Sequence, residues 1–196
     1  EKRGRVLVIA GSDSGGGAGI QADIKTVTAL GGYAATAITA VTVQDTLGVR
    51  AVHRVPPDIV EAQARAVLED IGADAVKTGM LGEAATVEAV ARVMADAGVP
   101  TVVDPVMVST SGTALLDPGA FDAFRALILP RAALLTPNAP EAQALTGLAV
   151  DSIESQRRAA LVLLELGPKA VLLKGGHIEG GTVVDLLVTP DGERAF

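Results

Sequence analysis

Apolar residues in this chain gather into short, nearly continuous runs, and longer stretches of mixed character separate them. Runs such as VLVI at 6–9 and TVV at 101–103 are too short for helices and lack the alternation of a strand with one wet face. They suit buried strands of a parallel sheet covered by helices on both faces. The pattern predicts strands at Val6–Ile9, Ala34–Val43, Ala75–Thr78, Thr101–Val103, Ala133–Leu135 and Ala170–Leu173. Between them, amphipathic spacing predicts helices at Ala18–Leu30, Asp58–Ile71, Ala84–Ala97, Gly119–Leu129 and Ile153–Leu166. Gly31-Gly32, Gly98 and Gly167-Pro168 serve as C-terminal stops, and Asp58 and Ser152 as N-caps. Near the end, Thr182–Val188 and Arg194–Phe196 flank a Thr-Pro-Asp-Gly turn, which predicts an antiparallel hairpin. The expected architecture is α/β: a mostly parallel central sheet between helical layers, with an antiparallel hairpin near the C-terminus, as one domain over 1–196.

Composition narrows the possible partners. Only four of 196 residues are aromatic and the formal net charge is −7, so neither stacking platforms nor a basic surface is available for nucleic acid. No cysteine is present, which removes disulfides and thiolate metal sites over this stretch. The longest apolar runs, such as Ala159–Leu164, fall far short of the roughly 20 residues of a membrane span. With a strand already at Arg5–Ala10 there is no pattern of an export signal, and we expect a cytoplasmic protein.

Chemistry-bearing residues cluster just past the strands, where open α/β sheets collect ligands. Gly11-Ser12-Asp13-Ser14-Gly15-Gly16 precedes Gly17-Ala18-Gly19-Ile20-Gln21-Ala22, which fits a dinucleotide fingerprint in composition but starts too far beyond the strand. A plain βα loop is an equal reading. Gln44, after the second strand, carries an amide able to donate and accept side by side, as an aminopyrimidine edge requires; a surface turn is the alternative. Asp104, held extended by Pro105, suits Mg²⁺ with phosphates or merely starts a turn. Asn138 and Glu141 have the spacing of a capping box, and Glu141 would add a second carboxylate beside Asp104 if their strands are neighbours. Lys174, leading into Gly175-Gly176-His177, offers a compact charge for phosphate oxygens.

In their order along the chain, AGSDSGGGAGIQAD, VTVQDTLGV, KTGML, VVDPVMVSTSG, LLTPNAPEA and VLLKGGH closely resemble the hydroxymethylpyrimidine and phosphomethylpyrimidine kinases of thiamin biosynthesis, members of the ribokinase-like superfamily. The resemblance runs from residue 5 to the end. It implies a ribokinase-like three-layer fold and an ATP- and Mg²⁺-dependent enzyme that phosphorylates 4-amino-5-hydroxymethyl-2-methylpyrimidine and then its monophosphate. It further implies that Gly11 and Asp23 line the pyrimidine pocket, Gln44 pairs with the amino edge, and Met80 and Val106 supply apolar contacts. Asp104 and Glu141 would hold Mg²⁺, Asn138 would orient the triphosphate and Lys174 would stabilise its charge. A homodimer is expected on the same ground.

In the family, a T-H-G-T-G-C-like segment at a helix N-terminus follows the hairpin and forms an anion hole beside the catalytic residue. This sequence ends before it, so we expect a longer native chain and name no catalytic base. A flap is expected over Val108–Thr113, which carries Ser109, Ser111 and Gly112. Pyridoxal kinase activity and a catalytically incomplete pyrimidine-binding module are the alternatives.

Overall fold

A computed structural model of the chain describes residues 4–109, 112, 114–178 and 182–196. Nine strands form one sheet: β1 (Arg5–Ser12), β2 (Tyr33–Asp45), β3 (Gly48–Arg54), β4 (Ala75–Thr78), β5 (Thr101–Val103), β6 (Leu134–Leu135), β7 (Val171–Leu173), β8 (Leu186–Thr189) and β9 (Gly192–Ala195). Their order is β3-β2-β1-β4-β5-β6-β7-β8-β9. From β2 through β7 every pairing is parallel, while β3, β8 and β9 pair antiparallel with their neighbours.

The helices before β5 are α1 (Gly19–Ala29), α2 (Pro57–Asp70) and α3 (Ala84–Ala97). Between α3 and β6 lies the three-residue α4 (Phe121–Ala123), and after β6 come α5 (Ala139–Thr146) and α6 (Ile153–Glu165). Strand β1 shows why its run is continuously apolar. Leu7 and Ile9 belong to the large core with Val60 of α2 and Val90 of α3, whereas Val8 and Ala10 pack with Ile20 of α1 on the other face. A strand with both faces covered has no solvent-facing position to make polar.

Three expectations need correction. Asp58 does not cap α2: Pro56 occupies that position without a side-chain cap, and Asp58 sits in the first turn, where its charge complements the helix dipole. The predicted helix at Gly119–Leu129 is instead a run of mixed pitch, with 3₁₀ turns at Pro118–Ala120 and Leu129–Arg131 around α4 and a π stretch at Phe124–Ile128. Pro118 and Pro130 lie in its flanking 3₁₀ turns, and a proline lacks the N–H an α-helix interior needs. Strand β3 was not anticipated, because GVRAVHR is largely exposed and carries no apolar run. Ser152 does cap α6, accepting from the Ser155 amide, and Gly98 ends α3 in the left-handed conformation.

Of the expected flap, Thr110, Ser111 and Thr113 lie outside the described residues, while Val108 bridges antiparallel to Ala114. Among the described residues no helix is long and apolar enough to cross a membrane.

Candidate functional site

Because β1, β2, β4, β5, β6 and β7 run parallel, their carboxyl ends share one rim, and each delivers a motif there. The loop after β1 is organised by a residue that sequence reasoning passed over. Asp13 is buried, and its carboxylate accepts from the backbone N–H groups of Gly15 (2.8 Å), Gly17 (3.0 Å) and Ala18 (2.8 Å). The glycine run therefore wraps around an internal anion instead of lying open to a pyrophosphate. Gly19 follows at φ +56°, where a Cβ would stand 2.4 Å from the Gly11 carbonyl oxygen. Only glycine lets α1 begin this close to the end of β1.

At the far end of β2 the register with β3 shifts between Val43 and Gln44, a bulge of the kind that re-aims a side chain. Ser14 Oγ donates to the Gln44 carbonyl (2.6 Å) and accepts from the Gln44 N–H (2.9 Å), tying this residue to the glycine loop. Gln44 then lines a cavity of about 190 Å³ together with Gly11, Thr42, Lys77, Met80, Asp104 and Val106. Met80 and Val106 belong to a small apolar cluster with Ala40 and Leu115. A wider cleft of about 470 Å³ opens outside it, between Asp13, Gln44 and Leu47.

Asp23 is not among the residues lining the inner cavity; it takes a place behind it. Its carboxylate accepts from Lys77 Nζ at 2.8 Å, linking α1 to β4, and it is the ammonium of Lys77 that reaches the lining. Lys77 and Thr42 join Asp13 as site residues that the strand pattern concealed. A polar residue inside a short strand reads as an outward-facing one until the packing of both faces is known.

The charged end of the site is built by β5, β6 and β7. Asp104 follows β5 and accepts from Lys174 Nζ (3.1 Å) and Thr136 Oγ1 (3.3 Å). Lys174, one residue past β7, bridges in parallel to Asn138, and its backbone N–H donates to the Pro137 carbonyl (2.8 Å). Asn138 caps α5 in a full capping box: its Oδ1 accepts from the Glu141 N–H (2.9 Å), and Glu141 Oε2 accepts from the Asn138 N–H (2.8 Å). Glu141 is buried, and that burial pushes its carboxyl from 4.5 up to about 7; the Asn138 N–H pulls it down, nearby Asp104 pushes it up and Lys174 pulls it down. Beside Lys174, a Cβ on Gly175 would stand 2.1 Å from the Val184 carbonyl oxygen, so the chain can pass the segment leading into β8 only as glycine. The structure thus gathers Gly11, Gln44, Met80, Asp104 and Val106 around one cavity and sets Lys174, Asn138 and Glu141 beside its Asp104 wall.

The family described as phosphomethylpyrimidine kinase matches residues 13–196. A hydroxymethylpyrimidine/phosphomethylpyrimidine kinase of Streptomyces coelicolor is 51% identical over 189 residues, covering 96% of this chain and 70% of the relative. The corresponding protein of Mycobacterium tuberculosis is 54% identical over 176 residues, with 89% of this chain and 64% of the relative covered. The chain thus spans under two thirds of the length of some of these relatives, and 38% of a thiamine biosynthesis bifunctional protein of Geobacter sulfurreducens. Among solved structures, a phosphomethylpyrimidine kinase from Clostridium difficile superposes with a TM-score of 0.91 at 42% identity, covering 99% of this chain and 84% of that one. A pyridoxal kinase from Staphylococcus aureus in complex with pyridoxal follows at 0.90 and 36%, covering 100% and 72%. The chain belongs to the phosphomethylpyrimidine kinase family.

Proposed function

We propose that this site binds 4-amino-5-hydroxymethyl-2-methylpyrimidine and, in the complete gene product, phosphorylates its hydroxymethyl group from ATP and then extends the monophosphate to the diphosphate, in thiamin biosynthesis. The observation that carries the reading is that Gln44, Met80, Asp104 and Val106 line a single cavity whose Asp104 end is joined to Lys174. A planar ring fits between the Met80 and Val106 side chains with its amino edge on the Gln44 amide. Its hydroxymethyl group then faces the charged end. An amide placed there rejects rings without the matching edge, because its own polar atoms would be left unpaired.

Asp104 and Glu141 are two hard oxygen donors on adjoining elements. A carboxyl held near neutrality by burial and by a neighbouring carboxylate fits a divalent cation that would share their charge. We therefore assign Mg²⁺ to this pair. Asn138 and the Lys174 ammonium stand where they can orient and neutralise a triphosphate; the nucleotide supplies the phosphoryl group, and the residues supply position and charge. Gly11 leaves the floor of the ring site bare, since a Cβ there would stand 3.2 Å from Met80 Sδ. Asp23 supports the site by holding Lys77 at the wall.

The reading includes a homodimer in the cytoplasm. Exposed Val41, Val43 and Leu47 along the β2–β3 edge offer a second copy an apolar surface. Pyridoxal is the second reading, favoured by the likeness to the Staphylococcus aureus pyridoxal kinase; it offers no amino edge to Gln44. A phosphotransfer assay on the complete gene product separates the two. Turnover of the aminopyrimidine and of its monophosphate is expected, with Gln44→Ala losing about a hundredfold in kcat/KM because the ring's amino edge loses its partner. No turnover of either compound, or an unchanged Gln44→Ala enzyme, contradicts the reading.

A further inference from the structure

The inner cavity contains a side chain to which the reading above gives no role. Thr42 is 5% exposed and lies two residues before Gln44 on β2. Its Oγ1 stands 2.9 Å from the Ser12 carbonyl oxygen and 3.2 Å from Gln44 Oε1. All three residues line the cavity. A hydroxyl has one proton, so with both neighbours oxygen it can satisfy only one of them. A half-turn of the Gln44 amide removes the competition. Nε2 then donates to Thr42 Oγ1, Thr42 donates to the Ser12 carbonyl, and every donor in the relay has an acceptor.

We propose that Thr42 is a positioning residue that fixes which way round the Gln44 amide faces the ring, and through it sets the choice between a 4-amino and a 4-oxo pyrimidine. The inference rests on the reading of Gln44 given above. A 4-aminopyrimidine presents an amine donor beside a ring-nitrogen acceptor; the 4-oxo ring presents a carbonyl acceptor beside an N–H donor. These edges are mirror patterns, so an amide free to turn can read either one. An amide held by a relay running back to the β1 backbone reads only one. Ser12 is itself fixed, because its Oγ accepts from Gln21 Nε2 (2.7 Å) while Gln21 Oε1 accepts from the Asp13 N–H (2.8 Å).

The test is isothermal titration of the chain with 4-amino-5-hydroxymethyl-2-methylpyrimidine and with its 4-oxo counterpart, in wild type, Thr42→Val and Thr42→Ser. Valine matches the shape and removes the hydroxyl; serine keeps it. We expect wild type to prefer the amino ring by about a hundredfold, Thr42→Val to lower that ratio about tenfold, chiefly through tighter binding of the oxo ring, and Thr42→Ser to keep it. An unchanged ratio in Thr42→Val, or the same loss in Thr42→Ser, overturns the proposal. Failure of Thr42→Val to bind either ring does so too, since a lock on orientation costs little affinity for the ring it selects. Wild-type protein that ignores both rings instead overturns the assignment of the cavity, and this proposal with it.

Discussion

Glu141 carries two demands at one carboxyl. One oxygen completes the cap of α5, and burial near Asp104 raises its pKa to about 7. Because the folded value lies above the ordinary one, its protonated form stabilises the fold fully below about pH 4.5. That contribution shrinks as pH rises towards 7. Glu141→Gln keeps the cap acceptor and removes the titration. The stability difference between wild type and this variant should therefore shift by up to about 3 kcal/mol between pH 4.5 and 7.5, read by denaturant unfolding. A constant difference across that range contradicts the raised value. The same proton must leave before the carboxylate can share a cation, so affinity for Mg²⁺-ADP should rise more steeply with pH through 7 in wild type than in Glu141→Gln, where the nucleotide's own phosphate is left to titrate. Elsewhere in the cavity lining, Lys77→Met leaves Asp23 without its 2.8 Å partner beside the ring site. We expect at least a tenfold loss of aminopyrimidine affinity by titration, with Mg²⁺-ADP binding unchanged.

Among the elements, legibility followed burial. The strands β1, β5 and β7 were readable because being covered on both faces leaves a nearly continuous apolar run, and the caps of α5 and α6 were readable because capping is local chemistry. Strand β3 was not, since an exposed edge strand such as GVRAVHR has no core to write itself into sequence. The site divides the same way. Asp104 and Lys174 could be found because each stands one residue past a recognisable strand, Gln44 because it sits at the end of one, and Asn138 because it caps the helix that follows β6. Thr42 and Lys77 could not, because their partners come from other elements, and Asp13 could not, because a short acid inside a glycine-rich loop reads as a solvated turn until its backbone partners are seen. The β1–α1 turn gives an element-scale prediction. Gly19→Ala meets the Gly11 carbonyl at 2.4 Å and must adopt φ +56°. Circular dichroism melts should show a loss of about 1–3 kcal/mol, with weakened ring binding, and an unaltered melt would show that this turn can open without cost.

At the scale of the molecule, the parallel order of the central strands converts motifs scattered from Gly11 to Lys174 into neighbours along one rim. No single motif is specific; their convergence is. The functional reading therefore depends on the sheet, and it places the ring and the phosphates at adjoining ends of one cavity. The most direct test is a crystal structure with 4-amino-5-hydroxymethyl-2-methylpyrimidine bound. The account predicts the ring between Met80 and Val106, its amino edge on the Gln44 amide and its hydroxymethyl group turned towards Asp104 and Lys174. A ring bound only in the outer cleft beside Leu47, or one whose hydroxymethyl group points away from Asp104, would contradict it.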